Sequence, residues 1–417
     1  MKKIGEKERT SSLWIIILTI IVDFIGIGII IPLLPFYSKL FGATPIILGM
    51  LVAASSLMQF ILSPVIGKMS DKIGRRPIII GTLIISILGH VTFVFSSSIY
   101  ILLISRLLAG AGASNISVAQ AYIADSTEQK DRVKWLGRIG AAFGIGTIVG
   151  PLISGSLISY GFAFPGIVAA GIASINLILA FFWLSESITK KEKKQNQELK
   201  ESIKLVFKNR TTKILLATFF IGNFSFFTIP VIYPLIGIEY FDLDAKLMSI
   251  IFVYIGITQS TIQGLMGRIT KRIKDEKLLA IGILLMVGIL IIPIFTNFII
   301  FLILTGIISI GIGIMMTIVP SIISKKSSRD EQGSILGISQ SIASLARVPG
   351  PFMGGLLYER VGSSSPFTLS GILMIIALMM GLLLVRETGV KDADPRGFEP
   401  RTSGFQLKVE SEAYALK

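Results

Sequence analysis

Two charged residues stand inside long apolar segments, where a charge needs a chemical reason. Asp23 interrupts a segment near 13–36, and Arg106 interrupts another near 99–124. A buried carboxyl group favours its neutral form and a nearby cation favours its ionised form, so a site that alternates between wet and closed can take up and release a proton. The two residues therefore indicate proton coupling, and a static Asp23–Arg106 ion pair between two helices is the alternative.

Other kinds of chemistry have few residues to support them. The chain contains no cysteine and a single histidine, His90. Thiolate metal sites, a His-based zinc site and a Ser-His-Asp triad are therefore not expected, and His90 is interpreted as a packing residue. The sequence also contains no phosphate-binding P-loop pattern, which argues against ATP as an energy source. We expect no enzyme activity, no metal and no cofactor.

The segments that position these residues are more apolar than those of soluble proteins. Hydrophobic residues make up 52% of the 417 residues and charged residues 16%, whereas soluble domains have about 25% charged residues. A membrane-spanning helix needs about 20 mostly apolar residues. Twelve segments meet this requirement, near 13–36, 46–66, 78–95, 99–124, 136–158, 163–184, 213–237, 244–266, 277–295, 297–322, 333–357 and 364–385. The sequence predicts an all-α membrane protein with twelve transmembrane helices.

Basic residues are distributed unevenly among the loops. Of 40 Lys and Arg residues, 35 lie in the termini and in or beside the loops after every second span, and only Lys39, Lys246 and Arg360 lie in the loops between them. Lys and Arg are retained on the cytoplasmic side of a membrane. The distribution predicts that both termini are cytoplasmic, and it explains the net charge of +15 without a nucleic acid partner.

The spans form two halves that resemble each other. We expect a cytoplasmic N-terminus (1–12), a first bundle (13–184), a cytoplasmic loop (185–212), a second bundle (213–385) and a polar tail (386–417). An offset of 200 residues aligns Gly67 with Gly267, Gly150-Pro151 with Gly350-Pro351, and Asp23-Phe24 with Asn223-Phe224. Parallel repeats around a site near mid-membrane are a known transporter architecture. The sequence thus predicts two pseudo-symmetric six-helix bundles.

The loop after the second span carries the most specific motif of the chain. Residues 67–76 read Gly-Lys-Met-Ser-Asp-Lys-Ile-Gly-Arg-Arg, which resembles the major facilitator signature G-x-x-x-D-x-x-G-R-[RK]. The matching positions are Gly67, Asp71, Gly74, Arg75 and Arg76. Two glycines allow a tight turn, and the cations hold it in the cytoplasm. The resemblance implies that Asp71 lies against span 11 and that Arg75 pairs with Asp125 at the end of span 4.

Spans 4, 5 and 11 carry further motifs of this superfamily. Arg106-x-x-x-Gly110-x-Gly112 resembles its R-x-x-x-G-x-G element. Span 5 resembles the antiporter element G-x-x-x-G-P-x-x-G-G, with Ser154 in place of one glycine, and span 11 repeats it. The residues concerned are Gly146, Gly150, Pro151 and Gly155, and Gly350, Pro351, Gly354 and Gly355. Proline kinks a helix and glycines permit close contact, so a general packing seam is the alternative interpretation.

The motifs are most similar to those of the drug–proton antiporter branch, which includes tetracycline and multidrug efflux proteins. The resemblance implies a major facilitator fold and alternating-access exchange at the cell membrane, driven by the proton gradient, in which protonation of Asp23 alternates with substrate binding. The expected partners are a small-molecule substrate, protons and the lipid bilayer, and the protein is expected to be a monomer. A symporter or facilitator for a sugar or other metabolite is an alternative, and so is a non-transporting membrane receptor.

Amide and aromatic side chains within the spans are candidate substrate contacts. They are Asn115 and Gln120 in span 4, Asn223 and Phe227 in span 7, and Gln259 in span 8. The resemblance implies that spans 1, 4, 7 and 10 line the central cavity. Each of these residues is alternatively an interhelical hydrogen-bond or packing residue.

Overall fold

The computed structural model describes residues 6–187, 210–294, 297–325, 339 and 341–393, and its regular elements are helices. The first half contains α1 (Glu6–Ile30), α2 (Leu34–Leu40), α3 (Pro45–Ile73), α4 (Arg75–Val94), α5 (Ile99–Gly112), α6 (Asn115–Ser126), α7 (Gln129–Leu157) and α8 (Ala163–Trp183). The second half contains α9 (Arg210–Phe241), α10 (Ala245–Ile269), α11 (Asp275–Val287), α12 (Phe298–Lys325), α13 (Pro349–Arg360) and α14 (Ser365–Ala393). Most of the predicted central loop and tail, and the first part of the predicted span 11, lie outside the described residues.

The described residues contain ten stretches of helix that are long and apolar enough to cross a membrane. They correspond to ten of the twelve predicted spans. The segment predicted at 277–295 differs, because α11 ends at Val287 and a 3-10 helix follows over Gly288–Ile294. Gly288 weakens a helix and Pro293 lacks the backbone donor, which explains the loss of α-helical geometry. Of the segment predicted at 333–357, the structure describes residue 339 and the residues from 341 onward, which include α13.

Two predicted spans are broken helices. The segment predicted at 13–36 divides after Ile30, and α2 restarts at Leu34, because Pro32 and Pro35 interrupt the hydrogen-bond ladder. The fourth span divides between α5 and α6, where Ile116 N donates to Ala113 O at 3.4 Å in a tightened turn. This second break places Asn115 at the first position of α6.

The apolar cores follow the two halves. In the first half one cluster surrounds Ile16, Ile20 and Tyr122, and a second surrounds Ile30, Leu51 and Phe93. The second half has one large cluster, whose most enclosed aromatic residues are Tyr233, Phe301 and Phe367. The second cluster of the first half also includes Val231 of α9, so the apolar cores of the two halves meet at that point.

Candidate functional site

A buried carboxyl group lies at the centre of the first half. Asp23 on α1 is 7% exposed, and its Oδ2 accepts a hydrogen bond of 2.7 Å from Nδ2 of Asn115. Asn115 is fully enclosed, and its own Oδ1 has no partner. The break between α5 and α6 thus presents an amide to the carboxyl group. A neutral amide supports a carboxyl group without fixing its charge, as a cation would.

Arg106 does not pair with Asp23. Within the described residues no ion pair joins the two, and the Arg106 guanidinium carbon lies 5.2 Å from the ring centroid of Phe93 on α4. Its Nε donates to Ser105 Oγ at 3.2 Å, and its Nη2 is buried without a partner. The static ion pair considered from the sequence is therefore wrong for this structure. The reason is that α5 packs against α4, whereas Asp23 faces the start of α6.

Glycines of the antiporter-type motif hold α1 against α7 beside this site. A Cβ on Gly146 would lie 2.6 Å from the backbone carbon of Phe24, the residue after Asp23. A Cβ on Gly150 would lie 2.6 Å from the backbone of Gly28. Pro151 lies inside α7, and Gly155 faces Ser249 on α10 of the second half. The motif therefore links the α1 helix that carries Asp23 to the contact between the halves.

The copy of this motif in span 11 makes equivalent contacts. A Cβ on Gly350 would lie 2.8 Å from the carbonyl oxygen of Phe224 on α9. Gly354 is looser, because its nearest neighbours, on Ile232 and Thr228, are 3.5 Å away. Gly355 contacts the backbone of Pro45 on α3, and the carbonyl oxygen of Pro351 lies 2.6 Å from a Cβ built on Gly49. Span 11 thus forms a second contact between the halves.

The two halves touch at one end of the spans and separate at the other. We define the basic end as the end where residues 67–76 and 268–274 lie, and the opposite end as the one where residues 41–44 and 241–244 lie. At the opposite end, Ile46 N donates to Glu359 Oε2 at 2.9 Å. Towards the basic end, Cβ atoms built on four glycines of α7 and α10 would meet none of the described atoms within 4 Å; these are Gly137, Gly140, Gly264 and Gly267. Within the part of the chain that the structure describes, the space between the halves is therefore open at the basic end.

At the basic end, the signature loop is organised around Arg75. Its Nε donates to Asp125 Oδ2 at 3.0 Å, as the motif implied, and its Nη1 lies 2.6 Å from Asp71 Oδ1. Asp71 was expected against span 11, but its side chain is 54% exposed and pairs with Arg75 one turn later. The separation of the halves at this end explains the difference. Gly67 has open surroundings, and its nearest neighbour is Ser117 Oγ at 4.0 Å.

An acidic residue after span 6 completes the signature turn. Gly74 has φ of +118°, a conformation that other residues adopt only under strain. Glu186 accepts from the backbone N–H of Arg75 at 2.8 Å and of Arg76 at 3.2 Å, which caps the start of α4. Arg76 Nη2 donates to the carbonyl of Phe181 at 2.6 Å. Sequence reasoning assigned no role to Glu186, although an acid in a strongly basic region was a usable signal.

The second half contains a charge-reversed counterpart of the Arg75–Asp125 pair. Lys325 Nζ lies 2.6 Å from Asp275 Oδ2, and residues 275 and 325 align with 75 and 125 at the offset of 200. The repeat therefore conserves the position of the ion pair while exchanging the acid and the base. The burial is exchanged as well, because here the base is exposed and the acid is buried: the Lys325 side chain is 64% accessible and the Asp275 side chain 10%.

The candidate substrate residues do not form one cluster. Asn115 is engaged with Asp23, and Asn223 donates to Phe219 O within its own helix at 2.8 Å. Gln259 is 2% exposed and neither end of its amide has a partner, whereas Gln120 is half-buried. Phe227 lies beneath the guanidinium of Arg347, with 5.0 Å between the ring centroid and Cζ. Arg347 is a residue to which sequence reasoning assigned no role. Groups of three or more potential metal ligands are absent from the described residues.

Comparisons with known proteins agree with this architecture. A sequence model of the Major Facilitator Superfamily matches residues 16–299 and 239–413. Multidrug resistance protein 2 of Bacillus subtilis is 29% identical over 410 residues, which cover 94% of this chain and 99% of that protein. The class E tetracycline resistance protein of Escherichia coli is 31% identical over 368 residues, covering 84% and 88%. A solved bacterial homologue of the human lysosomal transporter Spinster shares the fold, with a TM-score of 0.74 at 15% identity over 92% of this chain and 98% of that one.

Proposed function

The chain belongs to the major facilitator superfamily, and from this premise we propose that it exports amphipathic drugs in exchange for protons. Membership confirms the predicted major facilitator fold and the interpretation of the chain as a multi-pass membrane transporter of small molecules, not an enzyme. The names of the multidrug and tetracycline resistance relatives support drugs as the substrates. The observation that carries the proposal is the Asp23 carboxyl group, which is buried and bonded to a neutral amide.

The surroundings of Asp23 support a proton exchange step. An ionised carboxylate inside the membrane is costly unless it is paired or wet. Asp23 has no cation partner within the described residues, and Asn115 donates one hydrogen bond to it without adding a charge. In this scheme Asp23 is protonated while it is enclosed, as it is in this structure, and releases its proton when a rearrangement of the surrounding helices exposes it to water. Drug binding and protonation then alternate, so the proton gradient drives export without ATP.

The contacts between the halves support an inward-facing state. The distribution of Lys and Arg assigns the basic end, with both termini, to the cytoplasm. The open space at the basic end is then a cytoplasmic vestibule, from which a drug enters. Export requires the α3–α13 and α7–α10 contacts at the opposite end to separate. Because the path lies between two halves of one chain, we propose a monomer in the cell membrane as the functional unit.

Proton flux in vesicles tests this proposal. The full chain is reconstituted with a pH-sensitive dye inside, a pH gradient is imposed, and tetracycline, lipophilic cations and sugars are added in turn. We expect wild type to release protons with at least one drug and Asp23→Asn to release none. Asp131→Asn is the matched control, because Asp131 is an exposed acid on α7.

Three results contradict the proposal. Equal drug movement in wild type and Asp23→Asn would make Asp23 structural and the protein a facilitator. Proton movement in the same direction as a sugar would make it a symporter. Drug binding without flux would favour a receptor.

A further inference from the structure

A second unusual charge lies deep in the second half. Arg347 lies 13 residues before Arg360, where α13 ends. At the helical rise of 1.5 Å per residue, this corresponds to roughly 20 Å. The hydrocarbon core of a bilayer is about 30 Å thick, so Arg347 lies inside it. A charge at this depth is costly unless it is paired or hydrated, and it indicates a functional site by default.

The contacts of Arg347 leave its binding edge free. The face of the guanidinium lies on Phe227 of α9, and Nε is buried without a hydrogen-bond partner. Among the described residues, no carboxylate pairs with the guanidinium. The residue as a whole is half-buried, and its Nη1 and Nη2 atoms are not among the enclosed polar atoms. Stacking on a ring uses the face of a guanidinium, and its N–H edge remains available to an oxyanion.

The position of Arg347 places it beside the contact between the halves. One turn further along, Pro351 contacts Gly49 on α3, across the contact between the halves. Residues four apart lie on the same side of a helical segment, so Arg347 lies on the side of span 11 that meets the first half, and it is nearer than Pro351 to the basic end.

The charges inside the described spans are unbalanced. Away from the span ends, those spans and the stretch that precedes α13 contain the cations Arg106 and Arg347 and the acid Asp23. Asp23 is bonded to Asn115, and Arg106 stacks on Phe93 in the other half. An unpaired buried cation is destabilising, so a ligand that brings a negative charge would bind Arg347 with a large electrostatic gain.

We propose that Arg347 binds the carboxylate of an amphipathic aromatic acid or zwitterion, and that Phe227 contacts its ring. This inference rests on the proposed function, since it names the substrate class of the exporter. A guanidinium presents two parallel N–H donors that match the two oxygens of a carboxylate. A structural role, in which Arg347 only joins α13 to α9 through the Phe227 ring, would give no preference for anions.

Ligand binding to the detergent-solubilised full chain tests the inference. The probes are three compounds in which one naphthyl ring carries a carboxylate, a carboxamide or a trimethylammonium group, and calorimetry gives their Kd. Wild type is expected to bind the carboxylate at least about tenfold more tightly than the carboxamide, in line with a charge-assisted hydrogen bond. In Arg347→Gln this ratio should fall to about one. Arg360→Gln, on an exposed residue of the same helix, should keep the wild-type ratio.

A second variant covers the case in which Arg347→Gln does not fold. Arg347→Lys keeps the positive charge but loses the two parallel N–H donors of the guanidinium. The carboxylate should therefore bind several-fold more weakly, while binding of the carboxamide is unaffected. Any of four results would overturn the inference. They are unchanged carboxylate binding in Arg347→Lys, a wild-type ratio of affinities in folded Arg347→Gln, a preference for the trimethylammonium compound, and binding of none of the three compounds. Binding of the carboxylate without proton flux in vesicles would sink the exporter and leave the anion site standing. Proton-coupled export of cations alone would support the exporter and contradict the anion site.

Discussion

The first and second halves of the chain share a repeat of 200 residues but differ in the charges they carry. The first half has Asp23 and an Arg75–Asp125 pair, whereas the second half has Asn223 and an Asp275–Lys325 pair of reversed polarity. The glycine-proline contacts recur in both halves. The comparison shows that the repeat preserves backbone contacts and the positions of ion pairs, while the buried carboxyl group that we propose for proton exchange belongs to one half.

Exchanging Asp23 and Asn223 between the halves should have the largest effect. Asp23→Asn should lower proton-coupled transport by at least about 100-fold, the loss typical when a proton-transfer group is removed. Asn223→Asp should not restore it in the double variant. Nδ2 of Asn223 donates to Phe219 O, and an ionised aspartate has no donor for that carbonyl. The measurement is drug-driven proton release in vesicles.

Recovery of coupling in the double variant would show that either half can carry the proton, which contradicts the assignment to the first half. The single Asn223→Asp variant controls for folding, and its monodispersity in size-exclusion chromatography should be checked first.

Two glycines of the repeated motif, Gly150 and Gly354, should differ in their tolerance of alanine. A methyl group on Gly150 would lie 2.6 Å from the Gly28 backbone, whereas one on Gly354 would have its nearest neighbour at 3.5 Å. Gly150→Ala should destabilise the fold by about 1–3 kcal/mol through overpacking, and Gly354→Ala should stay within about 0.5 kcal/mol of wild type. Thermal unfolding in detergent checks this order. Equal shifts in Tm would show that Gly150 and Gly354 are packed equally tightly.

The two ion pairs should contribute differently to the free energy of unfolding, because their side chains differ in exposure. The Arg75 side chain is 7% exposed and binds two carboxylates, whereas the Lys325 side chain is 64% exposed. Arg75→Gln should cost about 1–3 kcal/mol, since it leaves charged groups without their partner. Lys325→Gln leaves Asp275, whose side chain is 10% exposed, without its cation, but Asp275 lies in the first turn of α11, where the helix N-terminus stabilises a negative charge, so the cost should be about 0–1 kcal/mol. A larger loss in Lys325→Gln, measured by the same unfolding assay, would reverse the comparison.

The contact between the halves should depend weakly on pH through Glu359. Its carboxylate accepts from Ile46 N, and this bond, with Thr44, lowers the pKa of Glu359. A carboxyl group with a lowered pKa stabilises the bonded state fully at pH values above its unperturbed pKa of about 4.3. This contribution is lost as the pH falls through the lowered pKa. Distances between labels at residues 42 and 362 should therefore lengthen slightly at low pH. Glu359→Gln should remove that change, and an unaltered pH response in it would assign the effect elsewhere.

Features set by local sequence were the predictable part of the fold. Apolar runs of about 20 residues placed ten spans that the structure contains, because hydropathy is a property of each segment alone. The resemblance of the signature loop to its superfamily motif implied the Arg75–Asp125 pair, which the structure contains. Prolines 32 and 35 were visible in the sequence, but their outcome, a full break after Ile30, depends on how α2 packs.

Features set by helix rotation were not predictable. Each residue turns an α-helix by about 100°, so a small rotation decides which neighbour a side chain meets. Asp23 and Arg106 both lie inside apolar spans, yet Asp23 faces Asn115 and Arg106 faces Phe93. The Glu186 cap joins residues 111 positions apart, and nothing in either local segment specifies the other.

The Glu186 cap also has a consequence for biosynthesis. The turn at Gly74 is made early, but the acid that caps it follows Arg76 by 110 residues. At translation rates of about 5–20 residues per second, the turn waits roughly 5–20 s for its partner. The first pair of spans after α1 thus stays incomplete until α8 has been inserted. The acid that caps the turn is therefore synthesised before any span of the second bundle.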